Sequence, residues 1–265
     1  MPTGEAVVVG IDAAWTLAGS SGVAVAVKVG DRWHLEGAWD SYDGLYAASG
    51  SNDLAVRIIA AATVLAGRPP DLVAVDMPLA HRPIISRREA DNQVSRTYGG
   101  RKASTHTPNE ARPGPVSQSL NDQLTADGFP LATRAIKPPC TIEVYPHPAL
   151  IELMRASERL PYKVGKSRKY WPAEPRESRR VRLFGVWASI ISALDGQIDG
   201  VADALPLPDA EARGASLKSF EDKLDAVVCA WCGIEALEGR AIPFGDETAS
   251  IWIPGAKPQR LTRRD

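Results

Sequence analysis

The sequence predicts an α/β fold in which helices flank a mixed five-stranded sheet, with the order βββαβ at its core. Three observations predict this fold. Residues 6–11 form a continuous apolar, β-branched run that ends at Asp12, as in a strand buried on both faces. Two further strand patterns follow it, separated by glycine-containing turns. A helical pattern then leads into a second apolar strand, which ends at Asp76.

The first three strands are predicted to form an antiparallel meander. The second covers residues 23–29 and the third covers residues 33–39, with Gly30 and Asp31 at the turn between them. A short turn of this kind joins adjacent antiparallel strands.

A helix is expected at residues 53–66, because Ser51 or Asn52 could cap its start and Gly67 stands where a C-terminal glycine belongs. The strand at residues 72–76 follows directly. A helical crossover places such a strand parallel to an earlier one.

The pattern of elements is looser from residue 78 to residue 140, and several helices and two strands are predicted beyond residue 78. Strand patterns occur at residues 141–145 and, near the end, at residues 251–254. The expected helices cover residues 86–98, 148–155, 176–194 and 217–237. The glycine- and proline-containing stretch at residues 99–115 suggests a functional flap, and residues 196–216 suggest a surface loop.

The composition favours one soluble domain. A chain of 265 residues fits a single domain over residues 1–265, with an insertion at about 78–140 and a basic helical segment at about 160–195. A net charge of −1 gives no overall footprint for nucleic acid. Three cysteines do not indicate a disulfide framework, and neither a signal peptide nor a membrane span is predicted. We therefore expect a cytoplasmic location.

Five acidic residues are the candidate catalytic groups. Three of these acids lie in predicted strands or at their ends, and the carboxyl ends of neighbouring strands in an α/β sheet face one crevice. The other two are three residues apart on one predicted helix face. Converging carboxylates would form a hard oxygen site for Mg²⁺ or Mn²⁺. Turn formation, helix capping or a solvated helix face remain alternative roles for each residue alone. The five are Asp12, Asp76, Glu143, Asp222 and Asp225, and the predicted metal ligands among them are Asp12, Asp76, Asp222 and Asp225.

Two segments are locally basic and could reach the phosphates of a substrate. Residues 81–112 hold seven basic against three acidic residues, and residues 163–182 hold eight against two. Solvated helix faces are the alternative explanation. The candidate phosphate-binding residues are Arg88, Arg101, Lys163 and Lys166.

The ordered motifs resemble a known family. Three strands, a helix and a strand, with Asp12 on the first strand and Asp76 on the fourth, resemble the ribonuclease H-like fold. Five further motifs follow in order along the chain: Gly10-Ile11-Asp12, Val75-Asp76-Met77-Pro78, Arg88 to Asp91, Glu143 to Pro148, and Asp222 to Ala230. Through these motifs the chain as a whole resembles the DUF429 family, described as predicted nucleases.

One motif departs from the family pattern. Members usually carry Glu-Val-His-Pro-Glu, whereas here Tyr145 replaces the histidine and His147 stands in place of the second acid. An imidazole suits a borderline metal better than it suits Mg²⁺.

The leading functional hypothesis is a metal-dependent nuclease or phosphodiesterase. The resemblance and the acids together imply two-metal hydrolysis, with Asp12 between ions roughly 4 Å apart. Nucleic acid or another phosphoester would be the substrate. A nucleotide-binding phosphohydrolase or phosphotransferase of a related fold is one alternative, although residues 18–22 only faintly resemble a phosphate loop. A catalytically silent binding module is the other.

Overall fold

The computed structural model describes residues 5–16, 19, 21–50 and 58–255. Within them, the fold is a mixed α/β arrangement in which helices flank one seven-stranded sheet. The strands are β1 (Ala6–Asp12), β2 (Gly22–Val29), β3 (Arg32–Trp39), β4 (Leu72–Val75), β5 (Cys140–Val144), β6 (Ala241–Gly245) and β7 (Ser250–Pro254).

The strands lie in the order β3-β2-β1-β4-β5-β7-β6. Strands β1, β2 and β3 form the predicted antiparallel meander, and β4 runs parallel to β1. Strand β5 is parallel to β4, β7 is parallel to β5, and β6 closes the sheet antiparallel to β7. The count of five strands was too low. Strand β6 escaped prediction because Pro243 interrupts its five-residue pattern.

The helices occupy both faces of the sheet. Gly67, with φ of +72°, follows α2 as the predicted C-terminal glycine, whereas Ser51 and Asn52 lie outside the described residues. The helices are α1 (Tyr42–Ala48), α2 (Ile58–Ala66), α3 (Glu89–Tyr98), α4 (Gly114–Ala126), α5 (Pro146–Met154), α6 (Ser167–Tyr170), α7 (Arg176–Asp195), α8 (Val201–Ala204) and α9 (Ala215–Leu237).

Two parts of the helical prediction need correction. Helices α1 and α4 were not predicted, since α1 has only seven residues and α4 is polar along most of its length. Residues 196–216 are not simply a surface loop. Ile198, Val201 and Leu205 are buried in the core, so this segment covers the sheet with apolar side chains.

Alternate residues of the strands face two separate cores. On one face, Val7, Val9 and Ile11 pack with α2 and its neighbours. On the other face, Val8 packs with the long helix α9, most of whose residues are buried. This side of β1 and β2 carries the glycines that let α9 approach closely.

Gly10 shows how close that approach is. A Cβ atom on this residue would lie 2.2 Å from the backbone nitrogen of Ala230 and 2.3 Å from the carbonyl oxygen of Ala226. These distances are far below van der Waals contact, so only glycine allows the helix to lie on the strand. Helix α9 is therefore held at a fixed height above the sheet.

Two further features match the sequence predictions. Cys140, Cys229 and Cys232 are buried free thiols. No helix in the described ranges combines the length and apolarity needed to cross a membrane.

Candidate functional site

Strands β1 and β4 bring Asp12 and Asp76 together. Ile11 of β1 pairs with Val75 of β4, and the Asp76 N–H donates to the Ile11 carbonyl oxygen at 2.8 Å. Parallel strands that end side by side place the next residues at the same sheet edge. Both side chains are partly exposed there.

Helix α9 adds Asp222 to this edge. Gly22 is the β2 residue paired with Asp12. A Cβ on Gly22 would lie 2.1 Å from the carbonyl oxygen of Asp222, so the helix passes directly over the pair. The predicted docking of the helix acids beside the first strand is thus what the structure shows for Asp222.

These three aspartates line one open cavity of about 670 Å³. We call Asp12, Asp76 and Asp222 the acidic floor. The other lining residues come from three places: the segment after β1, the segment before α4, and helix α9. They are Ala13, Ala14, Trp15, Gly19, His106, Thr107, Asn109, Arg112 and Lys218.

Two carboxyl groups of the acidic floor, those of Asp12 and Asp76, have pKa values above their usual range. Burial raises the pKa of Asp12 well above its usual value, and repulsion from Asp225, Asp76 and Asp222 adds to this against the opposing effect of Lys163. Burial likewise raises the pKa of Asp76 to about 7, with Lys163 opposing and Asp225 adding. Close carboxylates of this kind require a cation or a shared proton.

Asp225 lies deeper than the other three and is already paired. Its side chain is fully buried, and its carboxylate accepts from the Tyr162 hydroxyl at 2.8 Å and from the Lys163 ammonium. Burial alone would lower the pKa of Lys163, but attraction from Asp225, Tyr162 and Asp12 raises it well above its usual value. Lys163 therefore stays charged as a resident cation behind the floor.

Asp222 also has a lysine partner. The Lys218 ammonium, one helical turn earlier on α9, contacts the Asp222 carboxylate and lies 3.4 Å from Glu221. The Lys218 side chain is 52% exposed. The Asp222 side chain is only 1% exposed, so its buried carboxylate needs a positive partner, and a cation that displaces Lys218 would have to replace that charge.

Glu143 points to a different partner. Its carboxylate accepts two hydrogen bonds from Arg88, at 2.6 and 2.7 Å, and one from the Leu79 N–H at 2.8 Å. Arg88 is also bound to Asp91 and is 8% exposed. A guanidinium held by two buried carboxylates has no open face for a substrate phosphate. The structure places Glu143 and Arg88 in a buried ion-pair network outside the lining of the 670 Å³ cavity, although Glu143 lines a smaller pocket together with Asp76.

Arg101, Lys166 and His147 also lie outside the cavity lining. Arg101 binds Glu152 at 2.8 Å and the carbonyl oxygen of Ala156, which ties it to the end of α5. Lys166 is half-buried in a 3₁₀ turn. His147 is buried edge-to-face between two tyrosine rings, and burial lowers its pKa well below the usual value.

The donor chemistry of the acidic floor fits a hard divalent cation. Its potential ligands are all carboxylate oxygens from three different elements. In the part of the chain that the structure describes, neither Asp12 nor Asp76 accepts a hydrogen bond through its side chain. No three His, Cys, Asp or Glu side chains in that part already surround a point as metal ligands would. Binding an ion therefore requires Asp222 to exchange Lys218 for it.

Sequence reasoning missed several residues of the cavity. Trp15, His106 and Asn109 carried no motif, and Arg112 was only one basic residue among seven in its segment. The available signal was the polar flap at residues 99–115, which supplies four of the lining residues. Lys218 could have been found from its spacing, since it stands four residues before Asp222.

The comparisons with known proteins give one match. A family model described as "Protein of unknown function (DUF429)" matches residues 10–249. This range contains the end of β1 and all of β4, β5 and α9, and therefore every acidic residue of the site. No curated protein and no solved structure matches the chain significantly.

Proposed function

Because the chain belongs to the DUF429 family, whose function is unknown, we propose a function from the site itself: metal-dependent hydrolysis of a phosphodiester, with nucleic acid as the substrate class. The observation that carries this proposal is the meeting of Asp12, Asp76 and Asp222 at one cavity. The pKa values of Asp12 and Asp76 are raised and Asp222 contacts a lysine, so a divalent cation would be attracted to the three carboxylates.

The arrangement of elements supports a ribonuclease H-like fold as the framework of this proposal. Strands β1 to β3 form a meander, and the next strand, β4, is parallel to β1. The late helix α9 then returns across β1 and β2 and brings Asp222 to the same edge as Asp12. This is the order that the resemblance implied.

Asp12, Asp76 and Asp222 would hold Mg²⁺ or Mn²⁺. A divalent ion there would activate water and stabilise the charge that develops on a phosphoryl group. The residues of this chain have two further tasks. Asp225 and Tyr162 keep the Lys163 ammonium beside the acidic floor, where it limits repulsion among the carboxylates. Lys218, once released from Asp222, is exposed at the cavity and able to contact an anionic group.

The Asp12→Asn variant tests this function. We expect loss of Mn²⁺-dependent cleavage of an oligonucleotide, together with loss of Mn²⁺ binding measured by calorimetry. The melting temperature should stay unchanged or rise, because the substitution removes a poorly compensated negative charge. Asp31→Asn, at the exposed turn between β2 and β3, is the matched control and should retain both activities. Full turnover by Asp12→Asn would contradict the proposal.

One alternative has a specific observation in its favour. The lysine contacts of Asp222 and Asp225 would also suit a catalytically silent binding module. That function predicts no saturable Mn²⁺ binding by the wild-type protein, so the same calorimetric titration separates the two. The nucleotide-handling alternative gains no support, since its loop at residues 18–22 lies partly outside the described residues.

A further inference from the structure

One side of the cavity is aromatic and basic rather than acidic. We call Trp15, His106 and Arg112 the side wall. The Trp15 and His106 rings meet edge-to-face, with centroids 6.3 Å apart, and the Arg112 guanidinium lies 6.0 Å from the centre of the Trp15 ring. All three residues line the cavity that contains the acidic floor. His106 and Arg112 are exposed, and Trp15 is half-buried.

The segment that carries His106 and Arg112 is anchored to α3. The Arg87 guanidinium donates to the Thr107 hydroxyl at 3.0 Å, to the Thr105 hydroxyl at 3.2 Å and to the Asp91 carbonyl oxygen at 2.8 Å. A turn then fixes Arg112, whose N–H donates to the Asn109 side-chain oxygen at 2.9 Å. A guanidinium fork that bridges several acceptors restrains a polar segment effectively. The backbone that carries His106 and Arg112 is therefore restrained on both sides of the cavity-lining residues.

The side wall also carries positive charge next to the acidic floor. Among the described residues, Arg112 has no carboxylate partner, and neither have Lys166 and Arg159. Burial lowers the pKa of His106, and the charges of Lys166, Arg159 and Arg112 lower it further. An anionic substrate approaching three aspartates is repelled unless such cations receive it.

We propose that the side wall binds an unpaired nucleotide of a single strand, with its base against Trp15 and its phosphate on Arg112. This assignment rests on the proposed function and names the substrate class of the same site. Aromatic rings that receive a base need that base to be free of its own stack and partner. The Arg112 guanidinium, which lies over the Trp15 ring at 6.0 Å from its centre, offers a planar donor pair for the adjoining phosphate.

Binding can be measured without hydrolysis. The probe is a fluorescein-labelled oligothymidylate of about eight nucleotides, within the site sizes of single-strand binders. Its anisotropy is followed in EDTA at low salt. We expect Trp15→Leu to weaken binding about tenfold, and Trp15→Phe to restore most of the loss. Arg112→Glu should weaken binding at least about tenfold.

Arg82→Glu is the matched control, since Arg82 is exposed and does not line the cavity. We expect it to change the dissociation constant less than about twofold, a small step on the affinity scale. Equal losses in Arg82→Glu and Arg112→Glu would overturn the assignment, because they would show general charge attraction only. Absence of binding by the wild type, or equal competition by a duplex or by inorganic phosphate, would overturn it too. No metal is present, so a failure of metal-dependent cleavage leaves this result intact.

Discussion

Asp76→Asn should stabilise the metal-free protein, and should do so more strongly as the pH rises. The pKa of Asp76 is raised from 3.8 to about 7 in the folded protein. The folded state therefore keeps a proton that the unfolded chain has already lost between about pH 4 and pH 7. The resulting stability is complete below about pH 4 and is lost as the pH rises through about 7. Asparagine stays neutral, so the variant does not lose this stability as the pH rises.

The expected gain is a few kcal/mol. A pKa change from 3.8 to about 7 corresponds to about 4 kcal/mol above pH 7. Asp76 is partly exposed at the cavity, and solvent there screens the repulsion, so we expect about 2 kcal/mol at pH 8. The gain should be clearly smaller at about pH 5.

Urea unfolding in EDTA at about pH 5 and about pH 8 measures this gain. Asp31→Asn, which removes a charge at an exposed turn, is the control and should show no gain that grows with pH. Saturating Mn²⁺ should then make the wild type more stable than Asp76→Asn. A ligand that binds only the folded wild type adds about 2.7 kcal/mol to its unfolding free energy at a hundredfold excess over the dissociation constant. An Asp76→Asn variant that is less stable than wild type at pH 8 in EDTA would refute the reasoning.

Two further substitutions test how the site is built. Gly22→Ala should destabilise the protein by about 1–3 kcal/mol, because its Cβ would lie 2.1 Å from the Asp222 carbonyl oxygen and push α9 away. Gly185→Ala, in α7 with open space around it, should instead leave stability equal or higher in the same thermal melts. Lys163→Met should cost about 3–5 kcal/mol by leaving the buried Asp225 uncompensated. Adding Asp225→Asn should restore much of that loss in urea unfolding, and an unrescued double variant would show that Lys163 acts through packing alone.

The strand framework of the site was predictable because it follows from local pattern and chain order. Apolar runs that end at Asp12 and Asp76 predicted two buried strands, and the helix between them predicted a parallel pair. Their carboxylates had to meet at one edge. Docking of α9 was expected from its apolar residues, although the closeness that Gly22 permits became visible only in three dimensions.

The partners of the charged residues were not predictable from the sequence. Lys163 and Asp225 are 62 residues apart, and Arg88 and Glu143 are 55 apart, so no spacing rule connects them. Arg88 was expected to hold phosphate because it lies in a basic segment, yet two buried carboxylates take its donors. Charge counts along a chain identify basic segments and do not show which cations remain available.

The central claim is that Asp12, Asp76 and Asp222 hold a divalent cation. A crystal soaked in Mn²⁺ and measured for anomalous scattering tests this claim most directly. We predict an anomalous peak among these three carboxylates, with the Lys218 ammonium displaced from Asp222. A soaked crystal in which the peak is absent, and Lys218 still contacts Asp222, would contradict the account.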